Sequence, residues 1–267
     1  KILNLIQNDD DKLLESMIKN NKISVNTVLN SNNLKDLVND FSQYEILLNN
    51  PPIICCAAYF GSEKCYSSLV NLGSNLECTD FYHTPLTFFA VVGNSTKILE
   101  DLLLKSKTTS LNISFKNSIF CAMEYRSKST NSDDYSLAEW LYTNNIFKSN
   151  DVDLRGFSLI KCAIEFEKPE FLRFFLEVAN CPLSSSNGLF INNQTKSFSP
   201  ICYAFEKESY DCLKYLLSIV TTKNQFSRSF STLPSIVNST KQFYIDINQY
   251  DEKGNAPTHY AVQCNNI

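Results

Sequence analysis

Apolar residues recur three and four apart in a series of short segments separated by polar stretches. The densest are Ile98, Leu99, Leu102, Leu103 and Leu104; Phe171, Leu172, Phe174, Phe175 and Leu176; and Leu213, Tyr215, Leu216 and Leu217. That spacing lines one face of an α-helix. A shorter apolar phrase carrying an alanine recurs along the chain. Its six copies are Pro52-Ile53-Ile54-Cys55-Cys56-Ala57, Thr84-Pro85-Leu86-Thr87 into Ala90, Asn117-Ser118-Ile119-Phe120-Cys121-Ala122, Ser158-Leu159-Ile160-Lys161-Cys162-Ala163, Ser199-Pro200-Ile201-Cys202-Tyr203-Ala204 and Ala256-Pro257-Thr258-His259-Tyr260-Ala261. Proline near the first helical position is preset for helix entry, which accounts for Pro52, Pro85, Pro200 and Pro257, and for Pro169 in a second helix. Gly61, Gly93 and Gly73 suit helix ends that need positive φ. The pattern predicts pairs of short antiparallel helices.

The phrases start near residues 52, 84, 117, 158, 199 and 256, spaced 32, 33, 41, 41 and 57 apart. A unit of about 33 residues with insertions indicates stacked helix pairs. No such pair hides its apolar face alone, so neighbours must stack. The insertions fall in polar stretches predicted to be loops: Arg126 to Tyr135, Pro182 to Ser199, and Thr221 to Gln242, the last locally basic through Lys223, Arg228 and Lys241. Ahead of the repeats, residues 1–50 show helical stripes at Ile2, Leu3, Leu5 and Ile6, at Leu13, Leu14, Met17 and Ile18, and at Leu34, Leu37, Val38 and Phe41. This region reads as an N-terminal helical cap over the first unit. The last unit ends at Ile267 before a second helix, so further repeats are expected beyond it.

Composition narrows the chemistry. A net charge of −4 and pI near 5.3 oppose general nucleic-acid binding, which normally shows a basic stripe. No apolar run approaches the ~18 residues of a membrane span. The ten cysteines form no Cys-x-x-Cys pair, and only His83 and His259 add imidazoles, so no zinc site is expected. Cys56, Cys121 and Cys162 share one slot before the alanine and read as small buried apolar side chains. Free thiols imply a reducing, cytoplasmic setting. Nucleotide-cradling and nucleophile-elbow glycine motifs are absent from the sequence. No catalytic residue, cofactor or small-molecule substrate is expected. Trp140 is expected to pack between units.

The repeats resemble the ankyrin family. Asp251-Glu252-Lys253-Gly254-Asn255-Ala256-Pro257-Thr258-His259-Tyr260-Ala261 follows the first half of that family's consensus, and Asp153-Leu154-Arg155-Gly156 repeats its turn. Gly61-Ser62 and Gly93-Asn94 resemble its inter-helix turn, and Leu69-Val70-Asn71-Leu72-Gly73-Ser74-Asn75-Leu76 the end of its second helix. The resemblance implies an all-α solenoid, with a cap over residues 1–50 and ankyrin-like repeats over 51–267. It also implies a non-catalytic module that binds a partner protein through finger-like turns and the inner helices, with His259 bracing its turn. Carried onto this chain, the fingers are Asp80-Phe81-Tyr82-His83, Asp153-Leu154-Arg155-Gly156 and Asp251-Glu252-Lys253-Gly254. The expected contact residues are Asp80, Phe81, Tyr82, His83, Arg155 and Lys253. The alternative is a regulatory arm of a larger enzyme, and a third reading is nucleic-acid binding by the 221–242 segment.

Overall fold

Helix pairs closed by left-handed turns organise the chain. The computed structural model describes residues 2–30, 45–126, 133–182, 198–229, 245 and 247–263. Among them the structure is all-helical, with three isolated β-bridges and no longer strand. The chain divides into two units, Lys1–Ser127 and Lys128–Ile267.

In the first unit, α1 (Ile2–Gln7), α3 (Ile53–Phe60), α5 (Leu86–Val92) and α7 (Ser118–Tyr125) pack in succession. Their partners α2 (Asp11–Lys19), α4 (Glu63–Asn71) and α6 (Thr96–Thr108) form a second row. A 3-10 turn, Glu45–Asn49, precedes α3. Helices α3, α5 and α7 are apolar on nearly every side; all residues from Ile53 to Ala58 are buried. A helix apolar all round must lie between neighbours. The segment predicted as a cap therefore supplies a helix pair, α1 and α2, packed on α3 and α4 as α5 and α6 are.

In the second unit, α9 (Leu159–Glu165), α11 (Pro200–Glu206) and α13 (Pro257–Gln263) pack in one row. The other row holds α8 (Asp133–Thr143), α10 (Pro169–Glu177) and α12 (Tyr210–Ser229). Phe171, Phe174 and Phe175 of α10 are fully buried; Tyr135 and Tyr142 meet Phe174 edge to face, and Phe147 meets Phe175 in the same way.

The recurring alanine has a backbone task. The carbonyls of Ala57, Ala90, Ala163 and Ala204 accept from the amides of Ser62, Ser95, Lys168 and Ser209 at 2.8–2.9 Å, closing each inter-helix turn. This is the six-to-one bond that satisfies an orphan carbonyl at a helix end. One left-handed residue precedes each of those amide donors, Gly61, Asn94, Glu167 and Glu208, and Asp9 does the same between α1 and α2. Hydroxyls then fasten neighbouring pairs: Ser62 donates to Ile6 O, and Ser95 to Ala58 O, both at 2.5 Å.

Several sequence expectations are corrected. Gly93 has φ −76; the left-handed position passes to Asn94, and what Gly93 supplies is space against Tyr59. Residues 133–135, expected in a loop, begin α8. Residues 221–229, also expected in a loop, continue α12, since no Pro or Gly interrupts the chain before Pro234. The rest of that basic segment, residues 127–132 and 183–197, the stripe at Leu34 to Phe41 and the chain's end at 264–267 lie outside the described residues.

Candidate interaction surface

Three turns ahead of first helices share one construction. In each, an aspartate Oδ1 accepts from the amides two and four residues on: Asp80 from Tyr82 and Thr84, Asp153 from Arg155 and Phe157, Asp251 from Lys253 and Asn255, all at 2.8–2.9 Å. The fourth residue of each is left-handed, at φ 63 for His83, 78 for Gly156 and 81 for Gly254. A short acceptor on a tight turn satisfies amides that would otherwise face outward unpaired. The second aspartate oxygen differs between turns. Asp153 Oδ2 takes Arg155 Nε at 2.8 Å, and Asp251 Oδ2 takes the hydroxyl of Tyr260 at 2.5 Å.

Burial pulls the carboxyls of Asp153 and Asp251 upward, yet both lie below the usual value. For Asp153 the amide of Phe157 and the Arg155 side chain outweigh burial; for Asp251 the Tyr260 hydroxyl and the turn amides do. These aspartates are turn scaffold. Asp80 is only 5% exposed, so the residues it displays, rather than its own carboxylate, meet the surroundings.

What the first of these turns displays is aromatic. Phe81 is 72% exposed and Tyr82 68%, with their rings edge to face at 5.3 Å. The amide of Phe81 donates to Asn49 O at 3.0 Å, tying the turn to the 3-10 segment, and His83 is exposed beside it. In the second unit, Leu154 occupies the same turn position as Phe81 and is 93% exposed. Water-facing side chains of this size on a latched backbone pre-pay the ordering cost of contact.

Arg155 and Lys253 turn back onto their own unit. Arg155 lies over Phe157 at 4.6 Å and reaches Glu165 at 3.4 Å; Lys253 pairs with Glu206 at 3.1 Å. Around Arg155 the structure gathers residues the sequence reading passed over. Lys161 Nζ lies 3.8 Å from the Phe157 ring centre and 5.0 Å from that of Tyr203. Glu165 accepts from Tyr203 at 3.1 Å and from Lys207 at 3.2 Å. The signal was present: Lys161 interrupts an otherwise apolar helix at the phrase position His259 occupies in the last copy. His259 itself accepts from the amide of Ala256 through Nδ1 at 2.9 Å, a brace across the helix start.

A groove of about 260 Å³ between α4 and α6 is lined by Glu63, Tyr66, Lys97, Asp101 and Lys105. Its groups pair with one another: Lys97 with Glu63, and Asp101 with Tyr66 and Lys105. Among the described residues no three His, Cys, Asp or Glu side chains cluster as metal ligands would. Burial raises the thiols of Cys56, Cys121 and Cys162. Among the described residues no helix is long and apolar enough to cross a membrane.

No family model matches the chain, and no curated protein does. Among solved structures, the chain is similar to a chain in the structure of a predatory endopeptidase from Bdellovibrio bacteriovorus in complex with an immunity protein. The match has a TM-score of 0.47 and 14% identity, covering 81% of this chain and 96% of that one. A likeness at that level assigns neither fold family nor activity.

Proposed function

We propose that this chain is an ankyrin-type solenoid segment that binds a partner protein through its turn tips and first-helix face, without chemistry of its own. The carrying observation is the Phe81–Tyr82 pair, held in water on a turn that Asp80 and Asn49 fix in place. Exposed aromatic side chains on rigid backbone are the residues that most often dominate a protein interface. The recurrence of the turn at Asp153 and Asp251, and the alanine-closed helix pairs, support the family reading. In the second unit the Arg155, Lys161 and Lys207 cluster with Phe157 and Tyr203 adds a cationic, aromatic surface to the same role.

The test is affinity capture from the native cell with wild type and with Phe81→Ala/Tyr82→Ala, both verified as folded. A protein retained by wild type and reduced at least about 30-fold by the double variant, the scale of a ~2 kcal/mol hot spot, is the expected result. An unchanged set of retained proteins refutes the assignment of the first finger.

A further inference from the structure

Cys55 and Cys78 face each other with sulfurs 3.7 Å apart, one on α3 and the other two residues before the Asp80 turn. We propose that they are a built disulfide site, closed by a hydroperoxide, that fastens the base of the aromatic turn to the helix beneath it. This inference is independent of what the turn binds.

The two thiols are unequal in ways that suit the chemistry. Cys55 is fully buried, whereas Cys78 is partly exposed; the other described cysteines are all buried. An oxidant arriving from water therefore reaches Cys78 first. The Cys55 thiol donating to Cys78 holds that thiol below its usual value, while burial pushes Cys55 well up. The thiolate is the reactive form toward a peroxide. Cys78 thus reacts and Cys55 resolves.

Atoms and electrons balance in two steps. Cys78 attacks the peroxide oxygen, the O–O bond breaks, and a sulfenic acid forms with release of water or alcohol. The Cys55 sulfur then attacks the Cys78 sulfur, and the sulfenic hydroxyl leaves with the Cys55 proton as water. The dithiol loses two electrons and two hydrogens; the peroxide is reduced. The sulfurs must close from 3.7 Å to a bond of ~2.05 Å. Once closed, the bond pins the segment Glu77–Thr79, whose bridge to Pro85 frames the turn, onto α3.

The experiment treats the folded chain carrying Cys264→Ser with stoichiometric hydrogen peroxide, blocks free thiols and maps peptides by mass spectrometry. A Cys55–Cys78 linked peptide is expected, lighter by two hydrogens, with both thiols regained after dithiothreitol. The thermal midpoint of the oxidised form should rise and fall back on reduction. Cys78→Ser, at a partly exposed position, should leave Cys55 unmodified. Cys78 carried on to sulfinic acid with Cys55 free overturns the proposal. So does Cys78 left reduced, or Cys78 linked to another cysteine.

Discussion

Replacing Gly93 by alanine tests how closely the first helices approach. Gly93 ends α5 at φ −76, a conformation alanine adopts freely. On intrinsic preference alone the change is favourable by about 0.5–1 kcal/mol. The neighbouring helix reverses that sign. A β-carbon built at Gly93 lies 2.0 Å from Tyr59 O, 2.6 Å from its carbonyl carbon and 2.9 Å from its α-carbon. Non-bonded carbons do not come nearer than 3.0 Å, so the backbone of α3 or α5 must move by about 1 Å. Every atom in conflict is main chain of a fully packed helix, so no side chain can swing clear. Overpacking of this kind costs about 1–3 kcal/mol, and a backbone conflict belongs at the upper end. Urea unfolding followed by circular dichroism should show Gly93→Ala destabilised by about 2–3 kcal/mol with little change in slope. Gly73→Ala is the matched comparison. There φ is +86 and no atom lies within 4 Å, so the loss is conformational only, about 1 kcal/mol. A Gly93→Ala protein as stable as wild type, or more so, refutes the close packing of α3 on α5.

Four further outcomes follow from the turns. His83 holds φ +63 with its side chain in water, so His83→Gly should raise unfolding stability by about 0.5–1 kcal/mol in the same assay. The Asp153 carboxyl is depressed in the folded state, so its contribution is full above the ordinary carboxylate value of 3.8 and fades as pH falls through the folded one. Asp153→Asn, which keeps an acceptor for the turn amides, should flatten the acid loss seen in unfolding as pH falls below the ordinary carboxylate value of 3.8. Asp153→Ala removes that acceptor and should cost about 1–2 kcal/mol at neutral pH. Phe81→Ala/Tyr82→Ala removes only exposed rings, so its urea midpoint should stay within about 0.5 kcal/mol of wild type, separating binding from folding.

The helices were legible where side chains punctuate them. Pro169, Pro200 and Pro257 stand at or just inside helix starts, and Gly61 marks a left-handed end. The repeat is more regular in the backbone than in the letters. Left-handed residues recur between paired helices, after second helices at Asn21, Gly73, Asn145 and Asn180, and before first helices at Asn50, His83, Gly156 and Gly254. Few of these are glycine. Asparagine tolerates the conformation through local hydrogen bonds, and glutamate or histidine is held there by the surrounding turn, so pattern reading passes over them. The three turns ahead of first helices were legible as segments because aspartate opens each. Their division of labour was not, since Asp80 is buried by its packing and Lys253 folds back onto Glu206, 47 residues away, while Arg155 turns onto Phe157 and Glu165 only once the turn and its helix have formed. The long reach of α12 was missed because polar residues without a breaker look like a loop until a helix already under way carries through them.

The most direct measurement places a photoreactive phenylalanine at position 81 and, as a comparison, at the exposed Lys64 of α4, then irradiates each protein in its native cell. A discrete cross-linked protein is expected from position 81 that position 64 does not yield. Identical products from both positions, or none from position 81, would contradict it.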